Sequence, residues 1–453
     1  MQVLKSSQGM IPDPNLPNRA AALRRYEEFL PLLPRYARER SIIFPDRLSV
    51  SRMSAYVRYR LIRESELVHK ALDHYAYDDV SKFLDEVCWR TYWKGYLEYH
   101  SAIWTVYRNR LRELEETMPE IQRERLQQAR DGVTGIECFD VWVRELTETG
   151  WLHNHVRMWF ASIWIFTLRL PWELGASFFL QHLLDGDPAS NTLSWRWVAG
   201  LHTPGKHYLA RAENISRCTL GAFNPQGELN ERAAPLLEET TFPEEPLPHA
   251  TTLTGSLFPC LSLCPAGLVV LPEDLTPEIG EFSEMPFSSI CVFNASDVMD
   301  SFGATRRVRS FVNGAVSDTA TRLAAHWGGQ ELWVDGTVQN RHNRAQPANV
   351  GCWEHPRVYS GNVHNWVDSI LRWATNENLN SISLLQPPTG PWQDMMPELR
   401  AALKARNIHL VEFRRRWDVV HWPHASRGYF AFRKGLRDRL LKLSGEGFRA
   451  KAP

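Results

Sequence analysis

Two short segments of this chain concentrate polar side chains of the kind that hold a ligand. TGWLHNHVRM (residues 149–158) places Asn154, Arg157 and Met158 within one turn of a helix start. HLLDGDPASNTLSWRW (182–197) follows after an apolar stretch and carries Asp185, Asp187, Asn191, Trp195 and Trp197. Arg157, Asp185 and Asp187 are costly beside apolar surface unless they pair or bind the polar edge of a ligand. An Arg–Asp bridge tying two helices satisfies them. So does an isoalloxazine ring, whose flat body takes aromatic walls while its N5, carbonyl and ring N–H edges take an amide, a carboxylate and a guanidinium. Ten of the 18 tryptophans lie between Trp89 and Trp197, which reads either as a tryptophan-rich helical core or as walls for something large and flat.

Other chemistries are absent from the text. The only Gly-x-Gly is Gly445–Gly447, and there is no GxxxxGK[ST] phosphate loop and no HExxH zinc helix. Cys260 and Cys264 sit in LFPCLSLCP among apolar neighbours, where a buried thiol pair is favoured over zinc. Seven scattered cysteines argue against a disulfide framework. With 52 basic against 52 acidic residues, any attraction to nucleic acid must be local. The opening MQVLKSSQGMIPDPNLP has no leader pattern, and the most apolar run, 158–180, is interrupted by Arg169, Pro171 and Glu173. A soluble, cytoplasmic chain with no membrane partner is expected.

The elements that position these residues are read from periodicity. Apolar spacing of three and four predicts an all-helical region over 1–237, with helices near 18–39, 54–62, 68–76, 80–98, 106–130 (broken near Pro119), 138–149, 154–168 and 172–184. The acidic, proline-containing stretch 238–259 reads as a linker. In 260–453, β-branched runs at 268–271, 289–293, 331–334, 381–385 and 408–413 alternate with helical text at 304–327, 365–376 and 397–406, which predicts a Rossmann-like parallel α/β domain. VRYRLIRE (57–64), with Arg58, Arg60 and Arg63, reads as a solvated helix or as a phosphate-neutralising surface.

Together the two polar segments resemble the flavin-binding core of the photolyase and cryptochrome family, whose members carry TGWMHNxxRM followed by DGDxAxNxxxWxW. The likeness extends to FLDEVCWRTYW (83–93), similar to the family's ELxWREF helix, and to SRMSAYVRY (51–59), similar to its TSxLSPYL phosphate-binding turn. It implies FAD as cofactor, with Ser51 and Ser54 at the pyrophosphate and Arg90 nearby. It also places Tyr36, Trp151, Arg157, Asp185 and Asp187 around the dinucleotide and Asn191 at flavin N5. Hydroxyls and amides at a helix start suit phosphate because the positive dipole end faces it. Asn at position 191, in place of an acid or cysteine, favours a reduced flavin.

The resemblance further aligns Glu86, Trp89, Asn154, Met158 and Trp197 with the residues that contact a flipped cyclobutane pyrimidine dimer. Trp89 and Trp197 offer faces to two bases, Asn154 an amide, Met158 a soft filler, and Glu86 a hydrogen bond to a carbonyl that gains charge. Trp195 and Trp172 match the first two members of the family's electron-transfer chain; no tryptophan between Trp104 and Trp142 supplies a third, leaving Trp159, Trp164 or a tyrosine. Cys88, Cys138 and Cys218 are too few for a four-cysteine cluster. Departures are His155 for the usual Arg, Ala176 for an acid, and the text after Gly200, where FNP returns only at 223–225. The family's α/β antenna domain precedes its helical domain, whereas here the α/β text follows and ends in GYFAFRKGLRDRL, faintly similar to the YxxFxxFxxxW close of the antenna domain. A permuted order is expected, with the antenna (folate, deazaflavin or none) unreadable. The implied function is a light-dependent photolyase acting as a monomer on damaged DNA, single- or double-stranded. The alternative is a cryptochrome-like photosensor or flavin protein without repair.

Overall fold

A computed structural model describes residues 16–445 apart from 204, 239–241, 249–250, 253–265, 281, 329 and 337–355; Cys260, Cys264 and Gly447 lie outside the described residues. The chain begins its helices at Asn18, whose side chain accepts from the Ala21 amide and caps α1 (Arg19–Phe29). There follow α2 (Leu33–Glu39), α3 (Ser54–Arg58), α4 (Glu64–His74), α5 (Tyr77–Tyr99), α6 (Ala102–Thr117), α7 (Glu120–Asp131), α8 (Glu137–Thr149), α9 (Asn154–Ser162), α10 (Trp172–His182), α11 (Pro188–Ala199) and α12 (Ala212–Cys218). The charged run breaks where expected, because Met118 before Pro119 turns extended. α11 carries its own start and stop signals. Asp187 caps it by accepting from the Ser190 amide at 2.8 Å, Pro188 opens it, and Gly200 ends it at φ 88°.

The second half is a parallel sheet of β1 (Thr251–Thr252), β2 (Ala266–Val270), β3 (Ser289–Ala295), β4 (Gln330–Gly336), β5 (Arg357–Val363), β6 (Ser381–Leu385) and β7 (His409–Arg414), in the order β1-β7-β6-β2-β3-β5-β4. Its helices are α13 (Ser296–Asp300), α14 (Arg306–Trp327), α15 (Trp366–Asn376), α16 (Pro391–Ala405), α17 (Arg416–His421), α18 (Tyr429–Arg433) and α19 (Leu436–Gly445). β2 and β3 are buried throughout, as strands covered on both faces must be. Period-two alternation sorts them: Leu268, Val270, Ile290 and Val292 join the core of the helical half, while Val269, Leu271, Cys291 and Phe293 pack with α15 and α16. One continuous core therefore unites the helical half with one face of the sheet. The stretch expected as a linker is anchored: Glu238 pairs with Arg196 at 2.5 Å, Ser101 donates to Glu245, and Thr251–Thr252 add an edge strand beside β7.

The segment 57–64 departs from both of its sequence readings. The helix expected over 54–62 stops at Arg58, with Arg60 left-handed at φ 49°, and Arg58, Arg60 and Arg63 are all buried. Neither a solvated face nor a phosphate-facing surface exists there. Instead, Arg58 reaches Glu273 at 2.7 Å and Arg60 reaches Asp418 at 2.7 Å and Asp274 at 3.3 Å. Glu273 and Asp274 follow β2, and Arg415 follows β7, so the contact forms at the carboxyl ends of the strands. There the chain's order reverses between β2 and β6, the crevice where open α/β sheets bind ligands. Here Arg60 and Lys94 of the helical half line it, so that little free space is left in the crevice.

Candidate functional site

The residues singled out from the sequence come from four stretches of the helical half, of which α5 packs against α2 and α11, and α11 against α9. α5 supplies Glu86, Trp89 and Arg90; α9 and the turn before it supply Trp151, Asn154, Arg157 and Met158; α11 and its cap supply Asp187, Asn191, Trp195 and Trp197; and the segment from Tyr36 to Ser54 closes the remaining side.

Arg157 and Asp185 form an ion pair at 2.9 Å, and Arg157 also donates to the Leu152 carbonyl at 3.0 Å. The Arg–Asp bridge of the plainer sequence reading thus exists. It leaves a remainder, because the other oxygen of Asp185 is buried with no hydrogen-bond partner among the described residues. A buried acceptor left unmade is expensive, so this atom is suited to a donor from a bound ligand. Asn191 is buried and donates to the Ala176 carbonyl at 2.7 Å. Asp187 is engaged elsewhere: Arg90 lies at 2.7 Å, Lys94 at 3.6 Å and Arg58 at 4.0 Å. Burial alone would raise its pKa, but these three cations hold the carboxyl far below the ordinary range. Arg90 spends its remaining donors on Glu64 at 3.2 Å and the Arg58 carbonyl at 3.1 Å. Asp187 and Arg90 therefore fasten α5 to α11 beneath the site.

Positive charge collects on the opposite side. Arg47 and Arg52 both adopt left-handed φ, at 59° and 55°, a strained conformation that bulky residues rarely hold. The Arg52 guanidinium lies 4.7 Å from the Trp151 ring, and its Nε is buried without a hydrogen-bond partner among the described residues. Burial, followed by the like charges of Arg25 and Arg47, brings Arg52 down to about 10. Glu145, 2.9 Å from Arg47, is the carboxylate facing this group. A cluster of three arginines facing one carboxylate fits an anion, and Ser51 and Ser54 stand beside it at the start of α3.

Glu86 is paired with Arg40 at 2.9 Å and Lys82 at 3.1 Å. The Arg40 charge also reaches α9, where burial first and Arg40 second lower His155 to about 4. Tyr36 stands edge-on to Phe83 at 5.5 Å, and desolvation followed by the Glu86 charge pushes its phenol upward. Asn154 is exposed, Met158 half-buried, and half-buried Trp197 stacks on Tyr208 at 5.9 Å. Trp89 carries a partner that sequence reasoning missed: Tyr429 of α18 lies parallel to it, 3.5 Å between centroids and 8° between planes. The signal was present in GYFAFRKGLRDRL, but nothing local linked it to a residue 340 positions away.

Trp195 is buried and lies over Gly175, where a Cβ would come within 2.3 Å of the indole. Its ring neighbours are Trp164 at 6.2 Å and Phe179 at 5.1 Å. Trp172 stacks on Tyr107 at 5.6 Å, and Tyr107 lies 5.4 Å from Trp104. Of the candidates for a third member, Trp164 adjoins Trp195 and Tyr107 adjoins Trp172, whereas Trp159 stacks on Trp142.

Residues 83–247 match the family described as the FAD binding domain of DNA photolyase. Over that domain the chain is similar to the photolyase and cryptochrome family. It is 33% identical over 156 residues to a deoxyribodipyrimidine photo-lyase of Streptomyces griseus, covering 34% of this chain and 33% of the relative. It is 33% identical over 139 residues to cryptochrome-1 of Arabidopsis thaliana, covering 29% and 20%. The chain thus matches about a third or less of the length of these relatives. A bacterial class III photolyase from Agrobacterium tumefaciens aligns at a TM-score of 0.38 and 24% identity, over 44% of this chain and 42% of that one. FAD is the cofactor of the matched domain, and the side chains fit it: an orphaned buried acceptor at Asp185 beside a guanidinium, and an arginine cluster beside two hydroxyls.

Proposed function

We propose that this chain is a light-driven lyase that repairs cyclobutane pyrimidine dimers in DNA. Reduced FAD, when bound, supplies under blue or near-ultraviolet light the electron that splits the dimer and takes it back afterwards. The protein's own groups bind and orient. Arg157 and Asp185 would hold the polar edge of the isoalloxazine, Asn191 would offer its amide oxygen to the ring, and Ser51, Ser54 and Arg52 would take the pyrophosphate. Trp89 and Trp197 present ring faces to the two pyrimidines, Asn154 an amide to base edges, and Met158 fills the space between. Between two cations, the Glu86 oxygens accept hydrogen bonds and suit a pyrimidine N3–H; donation to a carbonyl requires that Glu86 take up a proton. Trp195 and Trp172 would relay to the flavin electrons taken from an external reductant, which is thereby oxidised.

The observation that supports this reading best is the Arg157–Asp185 pair at 2.9 Å, with the second Asp185 oxygen buried and without a hydrogen-bond partner among the described residues, on the same helix start that exposes Asn154. The likeness to a cryptochrome supports a second reading, a photosensor that retains the flavin but repairs nothing. Illuminating the flavin-loaded protein with reductant and dimer-containing oligonucleotides, single-stranded and duplex, separates the two. Dimers lost in light and not in darkness support repair; dimers that persist in both rule it out.

A further inference from the structure

The pair Tyr429 and Phe430 faces two ways. Tyr429 is buried, stacks on Trp89 and donates to the Asp85 carbonyl at 3.0 Å, while Phe430 is 87% exposed. A single exposed aromatic needs no explanation, but this one has company. The text RGYFAFRKGLR (427–437) holds four cations and no acid, in a chain whose charges balance overall. Arg427 and Lys434 are exposed and have no ion pair among the described residues. Arg433 extends to Asp85 at 3.0 Å, and Arg437 lies 3.7 Å from Asp78. The segment is thereby laid along α5 from Asp78 to Trp89.

We propose that residues 427–437 dock the DNA strand flanking the candidate pocket, with Phe430 stacking on an undamaged base and Arg427 and Lys434 neutralising phosphates. The proposal rests on the repair reading only for what occupies the pocket. Charge and position select a nucleic-acid strand. Free cations interleaved with an exposed ring match a polymer that alternates phosphates and flat bases, whereas an apolar protein partner would leave the cations unmatched. The surface is also continuous with Trp89, since Tyr429 covers one face of that indole. Because Tyr429 belongs to the α/β half, docking would depend on the order of domains that brings α18 against α5.

The test is fluorescence anisotropy with a labelled single-stranded oligonucleotide free of dimers, titrated at several salt concentrations against the flavin-loaded protein. Phe430→Ala should weaken binding about 5- to 150-fold, the loss of one stacked base. Arg427→Gln with Lys434→Gln should make the slope of log K against log salt shallower by about 1.4. Arg125→Gln, an exposed change on α7, should do neither. Binding of both patch variants within twofold of the unaltered protein, or no binding by the unaltered protein, overturns the proposal. So does a change in size-exclusion mass with these variants, which would assign the patch to a second copy of the chain. Weakened binding by the variants in a protein that repairs no dimer in light leaves the docking surface standing and removes the repair reading.

Discussion

Replacing Asp187 tests the buried seam most directly. Arg58, Arg60, Arg90, Lys94 and Arg415 face Glu64, Asp187, Glu273, Asp274 and Asp418 in one connected set of ion pairs. The charges balance, and the Asp187 side chain is 2% exposed. Asp187→Asn keeps an acceptor for the Ser190 amide, because Asn caps helices as well as Asp does. It removes one negative charge from beside three cations, and an uncompensated buried charge costs about 3–5 kcal/mol. Asp187→Ala loses the cap as well, about 1 kcal/mol more. Urea unfolding followed by tryptophan fluorescence at neutral pH reads both as lower midpoints at unchanged slope. Adding Lys94→Met to Asp187→Asn restores the balance and should recover part of the loss. If Asp187→Asn stays within about 1 kcal/mol of the unaltered protein, or if Lys94→Met deepens its loss, the electrostatic account of the seam is wrong.

Stability should also fall in acid in two stages. Burial lowers His153 to about 3 and His421 to about 4. A depressed folded-state pKa means that the unfolded chain takes up the proton first, so their contribution is full above about 6.5 and is lost as the pH falls towards 4. Each adds at most about 1.4 kcal/mol per pH unit. Asp187 and Asp274, held low by their cations against the effect of burial, lose theirs below the ordinary carboxylate range. Thermal melts across pH 3–8 that show no decline between about 6.5 and 4 would contradict this. Arg157→Ala strands Asp185 and should weaken FAD binding about 10- to 150-fold, read from recovery of flavin fluorescence. Glu86→Ala should lower light-dependent repair about tenfold or more while FAD stays bound, since the substitution removes a charge-assisted hydrogen bond to the base; equal repair would dismiss that role.

What the sequence determined by itself is local. Apolar spacing places most of the helices, and the Asp187–Pro188 start and Gly200 stop define α11, because caps and turns depend on a few neighbouring residues. The polar segments carry enough chemistry to be recognised before any folding is known. Where local signals were weak, the text misled. Pro397 suggested a helix start, yet α16 begins six residues earlier at Pro391. β5, with Gly361 and Asn362, owes its strand to pairing with β3 and β4 on both sides. Tertiary structure alone decided the partners of the arginines at 58 and 60 and of Trp89. Arg60 meets Asp418 across 358 positions, and Trp89 meets Tyr429 across 340. A charged side chain looks the same in the text whether water or a distant carboxylate will neutralise it, and only the folded chain's choice of neighbours removes the water.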